Sequence, residues 1–371
     1  MAQGAELTRT LELLEEGRHE GLHLGGQLAV LCDGRPVADL AVGEAAPGRP
    51  VRRDDPMLWL SATKPVSAVL VARLWERGLL GLDDPVARHL PEFAAGGKEG
   101  VTVRHLLTHT GGLRMLDVGW PGASWEEIVA RIAAQKLEPR WVPGRKAGYH
   151  LASSWFVLGE LVRRLEGRDF PEVVRRDLFE PLGMDGCWIG MPEAAYDAVA
   201  PRLVPVWDTG VAPAALHPWH ERRQVTSASP GGNGWGPMRE LARFYEMLRR
   251  GGELDGIRIL APQTVEAMVA RHRVGLFDHT FRAQVDWGLG VIVSSEWHRD
   301  PNAPYGYGPH ASARTFGHSG YRSTTAFCDP EHGLVVALAV NGTPGEEAHR
   351  LRFRRLCTAI YEDLGLAADG L

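Results

Sequence analysis

Apolar positions recur at helical spacing near the start of the chain, where Leu7, Leu11 and Leu14 share one face of a segment over residues 5–19. Two strand-like runs follow, Gly26 to Leu31 and Val37 to Val42. Between them lies Asp33-Gly34, a dipeptide suited to the tight turn of a hairpin. The far end of the chain has the same texture. Trp287–Val293, Thr324–Cys328 and Leu334–Val340 read as strands, Asp329 to Gly333 as a turn, and residues 346–364 as a closing helix. The middle differs. Residues 64–77 are apolar nearly all round, which predicts a buried helix, with Gly78 as its stop. Ser124-Trp125-Glu126-Glu127 is a capping box that opens another helix. Further helices are predicted over 154–166, ended by Gly167, over 170–179, ended before Pro181, and over 238–250, ended by Gly251-Gly252. Strands at both termini with helices between them predict an α+β fold: one antiparallel sheet built from both chain termini, flanked by helices, with an inserted, mainly helical region. Residues 1–60 and 284–371 would form the discontinuous sheet domain and residues 61–283 the helical one, with any functional site expected between them.

The length of 371 residues suits two such parts at roughly 150 residues each. A composition of 44% hydrophobic and 23% charged residues excludes wholesale disorder. A net charge of −5 gives no electrostatic reason to expect nucleic acid or an anionic membrane as partner. Cys32, Cys187, Cys328 and Cys357 are far apart and form no CxxC, so neither a disulfide framework nor a metal site is expected, and no motif asks for a cofactor. The first residues carry no basic stretch followed by an apolar run, and no apolar span reaches 18 residues, which predicts a cytoplasmic protein with no membrane partner. Of 41 basic residues only four are lysines, Lys64, Lys98, Lys136 and Lys146, so a lysine in a suggestive place stands out.

Such a place is Ser61-Ala62-Thr63-Lys64, at the mouth of the predicted buried helix. Positions i and i+3 share a helix face, so the Lys64 amine can reach the Ser61 hydroxyl. A serine hydroxyl is a weak nucleophile and needs a base; lysine serves when burial and a helix N-terminus lower its pKa. The plain alternative, a serine cap beside an unrelated surface lysine, fits poorly with a helix this apolar. Tyr149 follows Pro143-Gly144 by a short polar segment and precedes Ser153-Ser154; it is either a core aromatic or an acid–base group. Gly317-His318-Ser319-Gly320 lies between strand-like runs, where its glycines let a substrate come close to the main chain. The sequence has no G-x-S-x-G elbow, which excludes an α/β-hydrolase. His105 and His109 are spaced i, i+4, but with no third ligand nearby they read as helix-end packing rather than a metal face. Trp59 beside Ser61 and Trp235 in a glycine-rich loop are candidates to line an apolar substrate pocket.

Taken together, Leu60-Ser61-Ala62-Thr63-Lys64, Gly78-Leu79-Leu80-Gly81-Leu82-Asp83-Asp84-Pro85, Leu106-Leu107-Thr108-His109-Thr110-Gly111-Gly112-Leu113, Pro181-Leu182-Gly183-Met184, Asp286-Trp287-Gly288-Leu289-Gly290 and Phe316-Gly317-His318-Ser319-Gly320 resemble the serine β-lactamase and penicillin-binding-protein superfamily. The resemblance is to its class C branch, which includes the family VIII carboxylesterases, and it covers most of the chain. It implies that Ser61 is the acyl-accepting nucleophile, that Lys64 and Tyr149 share the proton transfers, and that the backbone N–H groups of Ser61 and Tyr321 form the oxyanion hole. It also implies that His318, Ser319 and Gly320 contact the substrate. Two positions depart from the family pattern. Tyr149-His150-Leu151 has leucine where asparagine is usual, and His318 stands where lysine often anchors a carboxylate. Both departures point away from an efficient β-lactamase or cell-wall peptidase.

The expectation is therefore a serine hydrolase of the esterase or amidase type, acting on a small-molecule ester or amide. One alternative is an acyltransferase of natural-product biosynthesis that hands the acyl group to an amine or alcohol, favoured by a Trp-lined, water-excluding site. The other is a non-catalytic ligand-binding protein on the same scaffold.

Overall fold

The structure, a computed structural model, describes residues 7–299 and 306–367. The first helix, α1, spans Thr8–His19, and residues 5 and 6, where it was predicted to begin, lie outside the described residues. Next comes the expected hairpin of β1 (Gly25–Cys32) and β2 (Arg35–Ala46), whose ladder continues into a short β3 (Arg49–Pro50). A short β4 (Met57–Leu60) leads through one tight turn, Ser61–Thr63, into α2 (Lys64–Glu76).

The helical middle contains α3 (Val103–Leu107), α4 (Trp125–Ala134) with the Ser124–Glu127 capping box formed, and α5 (Ser153–Glu166), closed by Gly167 in a left-handed conformation. The segment predicted over 170–179 is helical throughout, but α6 proper covers Phe170–Val174 and a wider-turned stretch completes it to Phe179. Two short strands, β5 (Trp188–Ile189) and β6 (Gly234–Gly236), pair in the order β4-β6-β5. Helix α7 spans Met238–Arg249.

The chain then returns to the main sheet with β7 (Asp286–Trp287), β8 (Ile292–Val293), β9 (Phe316–Gly320), β10 (Thr324–Asp329) and β11 (Leu334–Val340), and ends in α8 (Glu346–Asp363). The eight strands run β7-β8-β9-β10-β11-β1-β2-β3, all antiparallel, so the C-terminal strands and the N-terminal hairpin form one sheet through the β11–β1 pair.

Two strand expectations need correcting. Trp287–Val293 is not one strand but two, because Leu289 and Gly290 donate their N–H groups to Met268 and Leu107 instead of to the sheet. Gly317–Gly320 is not a loop between strands but part of β9, paired residue for residue from Phe316 opposite Cys328 to Gly320 opposite Thr324. Its Gly-His-Ser-Gly sequence has no apolar alternation that would betray a strand.

Strand β11 explains the layering. All seven residues are buried. Successive side chains of a strand point to opposite faces. Val335, Ala337 and Ala339 accordingly join the core with Leu241, Tyr245 and Leu248 of α7. Leu334, Val336, Leu338 and Val340 join the other core with Leu13 and Leu14 of α1 and Leu356 and Ile360 of α8. An apolar run rather than an alternating one is what a strand covered on both faces requires. Among the described residues no helix is long and apolar enough to cross a membrane. All four cysteines are free thiols.

Because Leu338 sits at the centre of the α1–α8 core, Leu338→Ala is expected to lower unfolding stability by about 3 kcal/mol, the cost of a core cavity. Urea titration would measure this, and a loss below about 1 kcal/mol would mean that the outer layer contributes little to the fold.

Candidate active site

The site begins where β4 ends. Leu60 has φ +50° and ψ −133°, a backbone conformation that costs a non-glycine residue roughly 1–3 kcal/mol. This kink turns the chain from strand into helix within one residue and places Ser61 at the corner. The helix that follows is buried over Lys64–Ala72, so the Lys64 side chain has no route to solvent.

Lys64 Nζ lies 3.1 Å from Ser61 Oγ, 3.1 Å from the Leu151 carbonyl and 2.6 Å from the Gly231 carbonyl. It also sits 4.9 Å from the centre of the Tyr149 ring and 5.6 Å from that of Trp155. None of these partners is a carboxylate, so burial holds the amine well below the usual lysine range. The count of hydrogens then matters. A neutral amine has two N–H groups, which the two carbonyls take, and its lone pair is left for the Ser61 hydroxyl proton. Once protonated, the ammonium has three N–H groups for the same three oxygens. The pocket thus seats Lys64 in either protonation state.

Leu151 departs from the family pattern only in its side chain, which is exposed. Its main-chain carbonyl faces inward and holds Lys64. The Gly231 carbonyl reaches the amine because the residue has no side chain: a Cβ there would lie 2.8 Å from Trp155 Cβ.

Tyr149 is buried against aromatic neighbours, with ring centres 4.6 Å from both His109 and Phe281, 5.9 Å from Trp287 and 6.0 Å from His318. Its main chain is pinned by side chains instead of by regular structure. Its N–H donates to Asp278 Oδ1 at 3.1 Å and its carbonyl accepts from Thr280 Oγ1 at 3.1 Å. Asp278 also accepts from the N–H groups of Thr280 and Phe281, and is paired with buried Arg273 at 3.0 Å. Arg273 in turn donates to the carbonyls of Val285 and Thr108.

Asp278, Thr280 and Arg273 carry no motif and escape a reading of the sequence, and His109, which the sequence suggests is helix-end packing, lies instead against Tyr149. His109 lies beyond the end of α3 with φ +57°, so it does not share a helix face with His105. Among the described residues no group of three His, Cys, Asp or Glu side chains is arranged to hold a metal ion.

Strand β9 brings up the remaining residues. His318 is fully buried, and its Nδ1 lies 2.7 Å from the Ser319 carbonyl, so that nitrogen carries the proton. Burial, with the Lys64 charge adding to it, pushes its pKa down to about 3, and the ring is neutral. Ser319 Oγ donates to Thr325 Oγ1 at 2.9 Å. The side chains expected to meet substrate here are therefore turned into the protein, and the exposed residue at this end of the strand is Tyr321. Gly320 lets the strand abut the Ser61 corner, since a Cβ there would lie 2.3 Å from the Trp59 carbonyl oxygen and 2.9 Å from Leu60 Cβ. A cavity of about 1150 Å³ opens beside Ser319 and Tyr321 and is also lined by Thr280, Phe281, Ile292 and Phe353.

Neither Trp59 nor Trp235 lines that cavity; both are buried in the core. Trp59 is buried against Phe179 and donates its indole N–H to the Gly236 carbonyl, and Trp235 packs with Leu58, Met191 and Val225. Their apolar character serves the β4–β6 pairing, not a ligand.

A serine hydroxyl bonded to a dry lysine amine one helical turn along, beside a buried tyrosine, is the constellation of a lysine-assisted serine hydrolase. A family profile described as Beta-lactamase matches residues 11–359. The esterase/beta-lactamase LipL of Mycobacterium tuberculosis is 30% identical over 364 residues, covering 90% of this chain and 80% of that protein. The esterase EstB of Burkholderia gladioli is 30% identical over 340 residues, covering 83% and 82%. The crystal structure of a family VIII carboxylesterase superposes with a TM-score of 0.79 at 27% identity, covering 96% of this chain and 97% of that one. The chain belongs to the β-lactamase family, and it is a serine hydrolase of that family.

Two outcomes are expected from this geometry. Gly320→Ala forces a methyl group onto the Trp59 carbonyl and moves the end of β9 from Ser61; it is expected to lower kcat by about a hundredfold or more, as loss of an oxyanion donor does. Unchanged turnover would detach β9 from the chemistry. The second concerns pH. His23, His150, His318 and His349 have pKa values near 3 when folded, all chiefly through burial, against about 6.5 in an exposed histidine. Between those values the unfolded chain binds more protons, so stability is full above about pH 6.5 and falls as the pH drops toward 3. The urea midpoint should be lower at pH 5 than at pH 7.5; a higher midpoint at pH 5 would contradict the burial of these rings as neutral groups.

Proposed function

We propose that the chain is an esterase- or amidase-type hydrolase that cleaves a small-molecule ester or amide through an acyl-enzyme on Ser61. The observation that carries this reading is the 3.1 Å contact between Ser61 Oγ and a lysine amine whose other two partners are main-chain carbonyls. Ser61 Oγ attacks the substrate carbonyl carbon while its proton passes to Lys64. The oxyanion forms against the backbone N–H groups of Ser61 and Tyr321. The Lys64–Tyr149 pair then returns a proton to the departing alcohol or amine, and the C–O or C–N bond breaks. Water attacks the acyl-enzyme by the same route, giving its proton to the pair, and the acid leaves with Ser61 restored. Lys64 and Tyr149 act as one coupled group in these transfers.

In this reading the site belongs to both parts of the chain. Residues 61–283 supply Ser61, Lys64, Tyr149 and, through Thr280 and Phe281, part of the cavity wall, and residues 284–371 supply Tyr321 and the rest of the wall that receives the remainder of the substrate. A preference for esters is supported by the name of EstB, an esterase, and in part by that of LipL, described as an esterase/beta-lactamase. It is also supported by the two departures at Leu151 and His318: an exposed aliphatic side chain and a buried neutral imidazole are poor partners for the amide and carboxylate of a β-lactam. The acyl-transfer alternative rested on a Trp-lined site, and with Trp59 and Trp235 in the core it loses that ground.

The test is covalent labelling. A fluorophosphonate should modify Ser61, located by mass spectrometry, and Ser61→Ala should abolish the adduct. Lys64→Ala should lower turnover of p-nitrophenyl acetate by about a thousandfold, in line with losses at activated nucleophiles. A protein that stays unlabelled would overturn the covalent reading and leave a binding role on the same scaffold. Near-normal turnover in Lys64→Ala would remove the lysine from the mechanism.

A further inference from the structure

Tyr149 is held on both sides by a single residue. The His109 carbonyl accepts the N–H of Gly148 at 3.0 Å, and His109 Nδ1 accepts the N–H of His150 at 2.9 Å. The two bonds bracket Tyr149 in sequence. The imidazole itself then lies on the Tyr149 ring, with centres 4.6 Å apart and planes at 35°, and meets Trp287 edge-on at 4.4 Å. Since a main-chain N–H donates to Nδ1, that nitrogen is bare and the ring proton sits on Nε2. Nε2 has no hydrogen-bond partner among the described residues, so the imidazole has one polar tie, and it goes to the residue after Tyr149. The backbone of His109 contributes as well: its φ of +57° lies in the left-handed region, and this is what points both the carbonyl and the side chain toward 148–150.

We infer that His109 is a positioning residue for Tyr149, fixing the phenol beside Lys64 through the paired bonds to Gly148 and His150; the inference rests on the proposed acyl-enzyme chemistry. The bracket requires an acceptor at the Nδ1 position, so it requires a neutral ring. Burial is the main force that keeps His109 neutral, the Arg273 guanidinium adds to it, and His150, Lys64 and His318, the other titratable groups facing the ring, add to it only when they are themselves protonated. Were the ring protonated, Nδ1–H would face the N–H of His150, two donors in opposition, and the bracket would lose its side-chain half while Gly148, Asp278 and Thr280 kept their bonds.

The substitutions that separate this role from simple packing are His109→Asn and His109→Gln. The side-chain oxygen of asparagine falls where Nδ1 lies and can accept the His150 N–H, and asparagine tolerates left-handed backbone. Glutamine keeps the polarity and more of the volume, but carries its oxygen to the Nε2 position, away from His150. Turnover of p-nitrophenyl acetate, counted per Ser61 labelled by fluorophosphonate so that misfolded protein drops out, should stay within about fivefold of wild type in His109→Asn. It should fall about thirtyfold or more in His109→Gln, with KM changed by less than about threefold, as a misplaced catalytic group demands. The acid limb of the kcat profile should move to higher pH in His109→Gln only, because a loosened Tyr149 admits water to Lys64 and eases the burial that depresses its pKa. Equal turnover and equal pH profiles in the two variants would overturn the inference and leave His109 as packing. A wild-type protein whose Ser61 does not react at all would sink the acyl-enzyme reading and this inference together, an outcome distinct from equality of the two variants.

Discussion

The structure turns on one ammonium group kept out of water without a counter-ion. An isolated buried charge is costly enough that the group sheds its proton instead. Lys64 is placed to do so: its helix is apolar on every side over its first turns, and the amine ends among two carbonyls, two aromatic faces and one hydroxyl. A carboxylate within reach would hold the lysine charged and useless as a base. The immediate surroundings of Nζ are built from main-chain oxygen and aromatic rings, so the amine is seated by hydrogen bonds while burial favours its neutral form.

That arrangement explains why the sheet and the helical part must meet closely. Ser61 and Lys64 come from the β4–α2 junction, the carbonyls from the start of α5 and the turn before β6, and Tyr321 from the end of β9. Each is delivered by a different segment, and small residues permit the approach: Gly231 beside Trp155, Gly320 beside the Trp59 carbonyl. The strained Leu60 is the local cost of turning Ser61 into this meeting point. The two cores on either side of β11 hold the sheet rigid enough for that precision.

The aromatic shell around Tyr149 works in the same sense. His109, Phe281, Trp287 and His318 exclude water from the phenol and the amine together. Buried histidines usually invite a metal or a proton relay as their explanation. Here the neutral imidazoles act as polar spacers, each with one nitrogen bonded to the main chain: His109 to the His150 N–H and His318 to the Ser319 carbonyl. Asp278 and Arg273, buried as a pair behind Tyr149, complete the support by tying the 278–281 turn to the tyrosine's own backbone.

The sequence by itself determined the parts that depend on near neighbours. The Ser61–Lys64 spacing places two groups on one helix face, the capping box at Ser124 starts α4, Gly167 ends α5, and the apolar run of β11 marks a strand covered on both sides. Motifs spread along the chain also carried the family and the sheet made from both termini. Only the tertiary structure decided the rest. The carbonyls that seat Lys64 come from 87 and 167 residues away, and every residue has a carbonyl, so no residue type announces them. Asp278 meets Tyr149 across 129 residues. Trp59 and Trp235 show the converse: aromatic residues beside a motif look alike in sequence whether they face a ligand or a core, and the pairing of β4 with β6 made them core. Covalent neighbours fix local geometry, whereas a low-dielectric pocket exists only after distant segments have closed over it.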